Sequence, residues 1–254
     1  MKFTRFSGMG FLLLLALTHP ARADEAHFML VFGSQRPVNL PRHTHTFATF
    51  VRAAWDGPGC SAPQIQAWTI SWLPQTLCIE VYRLRAECGI NLDLHSTLGW
   101  ARGDGQRLSL WGPYQIQKEL FDRALCQIAR LQNGAVAYKA VDTGYPPARV
   151  SNCSHAVGDL APDSRTRLGI RSWGDSASYF VTLSLAPWII DSRRTHDWLL
   201  PRLGLADCPV VRRGLARIPT RNPVLRAWQR VAHPVLIRNR DQLPGTGCWG
   251  LVEK

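Results

Sequence analysis

Across residues 114–131 the apolar side chains Ile116, Leu120, Phe121, Ala124, Ile128 and Leu131 recur at the spacing of one helix face. Asn133-Gly134 follows as a stop, because glycine tolerates the left-handed conformation that closes a helix. A stripe of that width has to be covered by other parts of the chain. The runs upstream read as a sheet able to cover it. Residues 43–52 are rich in β-branched and aromatic side chains and predict a strand, with His43, His45, Phe47, Thr49 and Val51 on one face. Residues 65–73 predict a second strand and residues 77–84 a third, separated by Pro74-Gln75, so an antiparallel meander is the simplest arrangement.

The remaining signals are shorter. Residues 28–33 form an apolar patch, after which Gly33, Pro37 and Pro41 punctuate a loop. Asp93 is placed to cap a helix over 94–101. Residues 108–111 predict a strand ended by Gly112-Pro113, and residues 136–141 another. The segment 169–191, with Trp173, Tyr179, Phe180 and Trp188, reads as buried, and 196–203 as a short helix. Asn222-Pro223 is a helix start in an arginine- and proline-rich tail. Together these runs predict an α+β fold, an antiparallel sheet packed against helices.

The N-terminal residues predict export. Lys2 and Arg5 precede the apolar run Phe11-Leu12-Leu13-Leu14-Leu15-Ala16-Leu17, and Ala21-Arg22-Ala23 is a small-x-small cleavage site. The run is too short to span a bilayer. The expected organisation is a signal peptide over 1–23 cleaved after Ala23, one domain over 24–205, and an extension over 206–254 packed on it. The protein is then secreted or periplasmic. The full chain has 30 basic and 18 acidic side chains, a formal charge of +12. Cleavage removes Lys2, Arg5 and Arg22 and leaves about +9. For an exported chain this favours peripheral contact with an anionic envelope surface over nucleic acid.

Seven cysteines follow the cleavage site: Cys60, Cys78, Cys88, Cys126, Cys153, Cys208 and Cys248. Export permits disulfides, and an odd count leaves at least one thiol outside them. Cys126 lies within the amphipathic helix and reads as a small buried hydrophobe. Cys153 is assigned as the free thiol because Val150-Ser151-Asn152-Cys153-Ser154-His155 looks like a helix start, with Ser151 or Asn152 as the cap. The positive end of a helix favours thiolate over thiol, which is one way to build a nucleophile.

A cysteine nucleophile needs an imidazole beside it and a polar group to orient the ring. His45, on a strand, is the leading base. His196, beside Asp197, and His233 are the alternatives in the opposite chain order. His155 is set aside as structural or as an indirect support of the site, since residues two apart on a helix do not face each other. Gly174-Asp175-Ser176-Ala177-Ser178 lacks the second glycine of a serine-nucleophile elbow. His43 and His45 share a strand face but lack further metal-spaced ligands, and no cofactor-binding loop is present, so neither metal nor cofactor is expected.

The pair His45-Thr46-Phe47 on a strand and Asn152-Cys153-Ser154-His155 at a helix start resembles the circularly permuted papain-like enzymes, the NlpC-like and lecithin:retinol acyltransferase-like group. The resemblance spans roughly residues 41–160. It implies a papain-like fold and a thiol hydrolase or acyltransferase. Cys153 would be nucleophile, His45 base, and the Cys153 N–H part of an oxyanion hole. The substrate would be an amide or ester in a cell-envelope peptide, lipid or polymer. That group carries a third polar residue on the next strand, often histidine; here Gln66, Thr69 and Ser71 are the candidates. The second expectation is a catalytically inactive papain-like scaffold that binds the envelope or serves structurally.

Overall fold

The computed structural model describes residues 24–56, 62–162 and 172–215. Among them the fold is α+β, with two sheets and five α-helices. The larger sheet is organised on β1 (Asp24–Gln35). Its neighbours are β2 (Thr44–Trp55) on one side and β6 (Arg107–Ile116) on the other, both antiparallel to it. β3 (Gln64–Ile70) pairs antiparallel with β2, and β9 (Val210–Arg213) adds to β6 in parallel. The smaller sheet has the order β4 (Trp72–Pro74), β5 (Glu87–Asn91), β7 (Ala137–Tyr138) and β8 (Val150–Ser151).

Both faces of the larger sheet are covered, which is why β1 reads as a continuous apolar run rather than an alternation. Met29 and Val31 of β1, with Ala48 and Phe50 of β2, face one core. That core is completed by α2 (Lys118–Gln132), α3 (Cys153–Gly158) and α4 (Asp175–Leu185). Phe28, Leu30 and Phe32, with Phe47 and Val51, face the other. There α1 (Leu94–Gly103) and α5 (Leu199–Arg202) close the layer. The two helices with the clearest signals both form, the longer one with a later start. Leu120, Phe121, Ala124, Ile128 and Leu131 of α2 are all buried, and Asp93 caps α1 by accepting from Ser96 N–H at 2.9 Å.

Several expectations need correction. The patch at 28–33 is not the lead-in to a loop but the centre of a strand, and Gly33 lies within it. Residues 77–84 form no strand. Leu77 turns the chain with φ 57°, and it is β5, at 87–91, that pairs with β4. The run at 65–73 splits at Ser71, where the chain leaves one sheet for the other. Asn91 bridges the split by accepting from Ser71 N–H and donating to the Thr69 carbonyl, both at 2.8 Å. β6 does not stop at Gly112-Pro113. Two residues of β6 there oppose the single Leu30 of β1, so a bulge carries the strand on to Ile116. Gly112 is required at this point, because with φ 90° a Cβ would lie 2.7 Å from the Met29 carbonyl oxygen. The helix therefore starts at Lys118. The start of the tail joins the larger sheet as β9, while the helix expected at Asn222 and the signal peptide lie outside the described residues.

The cysteines also differ from expectation. Cys126 is disulfide-bonded, and Cys78, Cys88, Cys153 and Cys208 are free. Periodicity assigns Cys126 to a helix face but says nothing about a second sulfur opposite it. Cys153 is free as expected, yet an odd count does not single it out.

Candidate functional site

Ser151 ends β8 and Asn152 caps α3. The Asn152 side chain accepts from His155 N–H at 2.8 Å, and the Asn152 carbonyl accepts from Ala156 N–H at 2.9 Å. The cap is itself held by Asp142, which is 3% exposed. Asp142 accepts from the Asn152 backbone N–H at 3.1 Å and from Asn152 Nδ2 at 3.0 Å. His155 Nδ1 lies 2.7 Å and 2.9 Å from the two oxygens of the same carboxylate. One buried carboxylate thus fixes both the cap and the third helical residue. His155 is thereby held on the Asp142 carboxylate.

Cys153 is the first residue of α3 and half-buried. Its sulfur faces the Thr46 backbone N–H and lies 3.9 Å from Ser154 Oγ. Ser154 Oγ donates to Thr46 Oγ1 at 3.2 Å, and Thr46 Oγ1 lies 2.9 Å from Ser178 Oγ. Ser178 Oγ in turn reaches the carbonyls of Phe32 and Gly174, each at 3.1 Å. Each hydroxyl has one proton to give. With Ser154 donating to Thr46, the chain runs in one direction: Ser154 to Thr46, Thr46 to Ser178, Ser178 to a carbonyl. Between Ser154 Oγ and the sulfur, 3.9 Å apart, either atom can be the donor.

Burial is the largest influence on the Cys153 thiol and pushes it up, and the Asp142 charge adds to this; the Thr46 N–H and the hydroxyl and N–H of Ser154 oppose it. Tyr138, on the neighbouring β7, stays a phenol, its pKa raised well above the ordinary value chiefly by burial. A six-residue helix has little macrodipole to set against these effects.

His45 lies on the other face of the sheet. Successive strand residues point to opposite faces. Thr46 points toward α3 and α4, so His45 points with Phe47 toward α1. Its ring stacks on Phe47 and meets Trp100 edge-on, both at 5.5 Å between centroids. Nε2 lies 2.9 Å from Ser71 Oγ, and Nδ1 is buried without a partner. Burial lowers its pKa to about 3.

Thr69 lies on the same face, its hydroxyl 3.0 Å from that of Thr49. Gln66 is exposed on the edge strand β3, opposite Arg52. The structure therefore joins His45 to Ser71 and Thr69 to Thr49, and brings none of His45, Thr69 or Gln66 to Cys153. His196 also misses the site, packing on Phe28 at 4.9 Å between ring centroids. His233 lies outside the described residues. Among the described residues no group of three His, Cys, Asp or Glu side chains could hold a metal ion.

Thr46, Ser154, Ser178, Tyr138 and Asp142 were missed as neighbours of Cys153. The neighbouring strand residue Thr46 carried the only usable signal. Period-2 alternation places it opposite His45, and knowing which face the cysteine helix covers would have identified it. Searches against family models, curated proteins and solved structures found no match for this chain.

Proposed function

We propose that this chain is an exported, non-catalytic binding protein on a permuted papain-like scaffold, acting at an anionic cell-envelope surface. The observation that carries this reading is the sheet standing between Cys153 and His45. Thiol catalysis needs an imidazole that takes the sulfur's proton. In its place Cys153 has Thr46 and a hydroxyl chain, and the imidazole expected to serve is buried against Ser71. The scaffold keeps the strand and the Asn-Cys helix start without the proton acceptor. The formal charge of about +9 that remains after the expected cleavage supports an anionic partner.

Iodoacetamide labelling at pH 6 and pH 7, with the sites mapped, tests the reading. The exposed thiols Cys78 and Cys88 are expected to react at pH 7 and Cys153 to stay unmodified at both. Labelling of Cys153 at pH 6 that His45→Ala abolishes would overturn it. That outcome would favour the second reading, a thiol hydrolase or acyltransferase in which Cys153 attacks an envelope amide or ester. The free thiol at a capped helix start with the Thr46 N–H beside the sulfur is the observation behind it.

A further inference from the structure

The loops following β4 and β7 meet beside the cap of α3 and expose apolar side chains together. Tyr82 is 94% exposed and Leu84 87%, and Val141 and Tyr145 are also exposed. Contacts join the two loops into one patch. Tyr145 Oη donates to the Leu84 carbonyl at 3.1 Å, Lys139 Nζ donates to the Arg83 carbonyl, and Lys139 Nζ lies 5.7 Å from the Tyr145 ring centroid. Tyr145 N–H also bonds the carbonyl of Asp142, the residue that holds Asn152 and His155. The patch is thus continuous with the candidate site.

Isolated exposed apolar residues are ordinary, but a linked group of them marks a contact surface. The charge around this group selects the partner. Arg83 is balanced by Glu80 and Glu87. Among the described residues Arg85 and Arg149 are exposed and form no ion pair. Tyrosine at the headgroup level, leucine below it and arginine on phosphate is the composition of a peripheral membrane anchor. Among the described residues no helix is long and apolar enough to cross a membrane.

We propose that Tyr82 and Leu84 insert into the headgroup layer of an anionic bilayer, with Arg85, Lys139 and Arg149 pairing to lipid phosphates. This rests on the reading of the chain as an envelope-surface binder and names the surface it uses.

Sedimentation of the full chain with phosphatidylglycerol–phosphatidylcholine vesicles, and with phosphatidylcholine alone, tests it. The wild type and its variants share one N-terminal segment, so their difference reports the patch. Binding is expected to require phosphatidylglycerol and to weaken with salt. Tyr82→Ser/Leu84→Ser is expected to lower affinity about tenfold, and Arg85→Glu/Arg149→Glu to remove the dependence on phosphatidylglycerol. All four side chains are exposed, so both variants should fold, which circular dichroism checks. No phosphatidylglycerol-dependent binding, or binding unchanged in Tyr82→Ser/Leu84→Ser, overturns the proposal. Acid labelling of Cys153 would instead overturn the non-catalytic reading and leave the anchor standing.

Discussion

His45 Nε2 lies 2.9 Å from Ser71 Oγ, at the point where the chain leaves the larger sheet for the smaller one. The imidazole serves as a buried neutral link between β2 and the break between β3 and β4. Its other nitrogen has no partner, so a proton arriving there would be a buried, unpaired charge.

This makes stability depend on pH with a definite sign. The folded-state pKa is lowered from 6.5 to about 3, so the unfolded chain holds the proton more tightly. The contribution is full above about pH 6.5 and is lost as pH falls from there toward 3. Between pH 7 and pH 4 the wild type should lose ~3 kcal/mol through this residue. His45→Gln cannot titrate and should not show that loss. Urea unfolding of both proteins across this range measures the difference, and parallel pH profiles would count against the burial of a neutral ring.

How far the sequence was legible follows from which forces are local. The α2 stripe and the Asp93 cap depend on neighbours three and four residues away; the cap formed where expected, and the stripe did from Leu120 on, with Ile116 going to β6 instead. The Asn152 cap is local in the same way. The pairing of Cys153 with His45 depended on which face of the sheet α3 covers. Period-2 alternation places His45 and Phe47 together but says nothing about what packs on them. The β5 strand, with its single glycine and no aromatic residue, carried less strand signal than 77–84. Yet it is the one that pairs, because Leu73 and its neighbours meet it in space. Asp142, ten residues before Asn152, has no spacing signal at all; only the fold brings it under the cap.

Asp142 should be among the most sensitive polar positions. Asp142→Ala leaves the Asn152 N–H, the Asn152 amide and His155 Nδ1 without their acceptor in a buried setting. The expected cost is about 3 kcal/mol of unfolding free energy. Hydrogen exchange at the amides of α3 should accelerate with it. A change within about 0.5 kcal/mol would mean that water satisfies these donors and that the carboxylate does not organise the helix start.

The edge strand β9 should depend on Arg213. Arg213 and Arg107 each place a guanidinium nitrogen 3.0 Å from the same oxygen of Asp175, which is 2% exposed. Arg213→Ala removes one of the two charges that balance a buried carboxylate and releases Ser109 Oγ. The expected result is roughly 1–3 kcal/mol of destabilisation, with amide exchange rising most at Val210–Arg213. Uniform acceleration across the larger sheet would argue against a local tether.

Gly33 and Ser178 should be energetically coupled. A Cβ on Gly33 would lie 2.8 Å from Ser178 Oγ and 3.1 Å from its Cβ. Ser178 cannot simply swing aside, because its hydroxyl is held by Thr46 and by the Phe32 and Gly174 carbonyls. Gly33→Ala should therefore cost about 1–3 kcal/mol through overpacking. Ser178→Ala removes the closer obstacle but interrupts the hydroxyl chain from Ser154 through Thr46, so it should cost about 1–2 kcal/mol by itself. In the double variant the steric part of the Gly33→Ala cost falls away, while the 3.1 Å contact to the residue 178 Cβ stays. The double variant should then be more stable than the sum of the single losses by at least ~0.5 kcal/mol. Additive losses in a denaturation cycle would mean that the α4 backbone gives way to the new methyl group, and that the close packing of α4 on β1 is not what requires glycine at position 33.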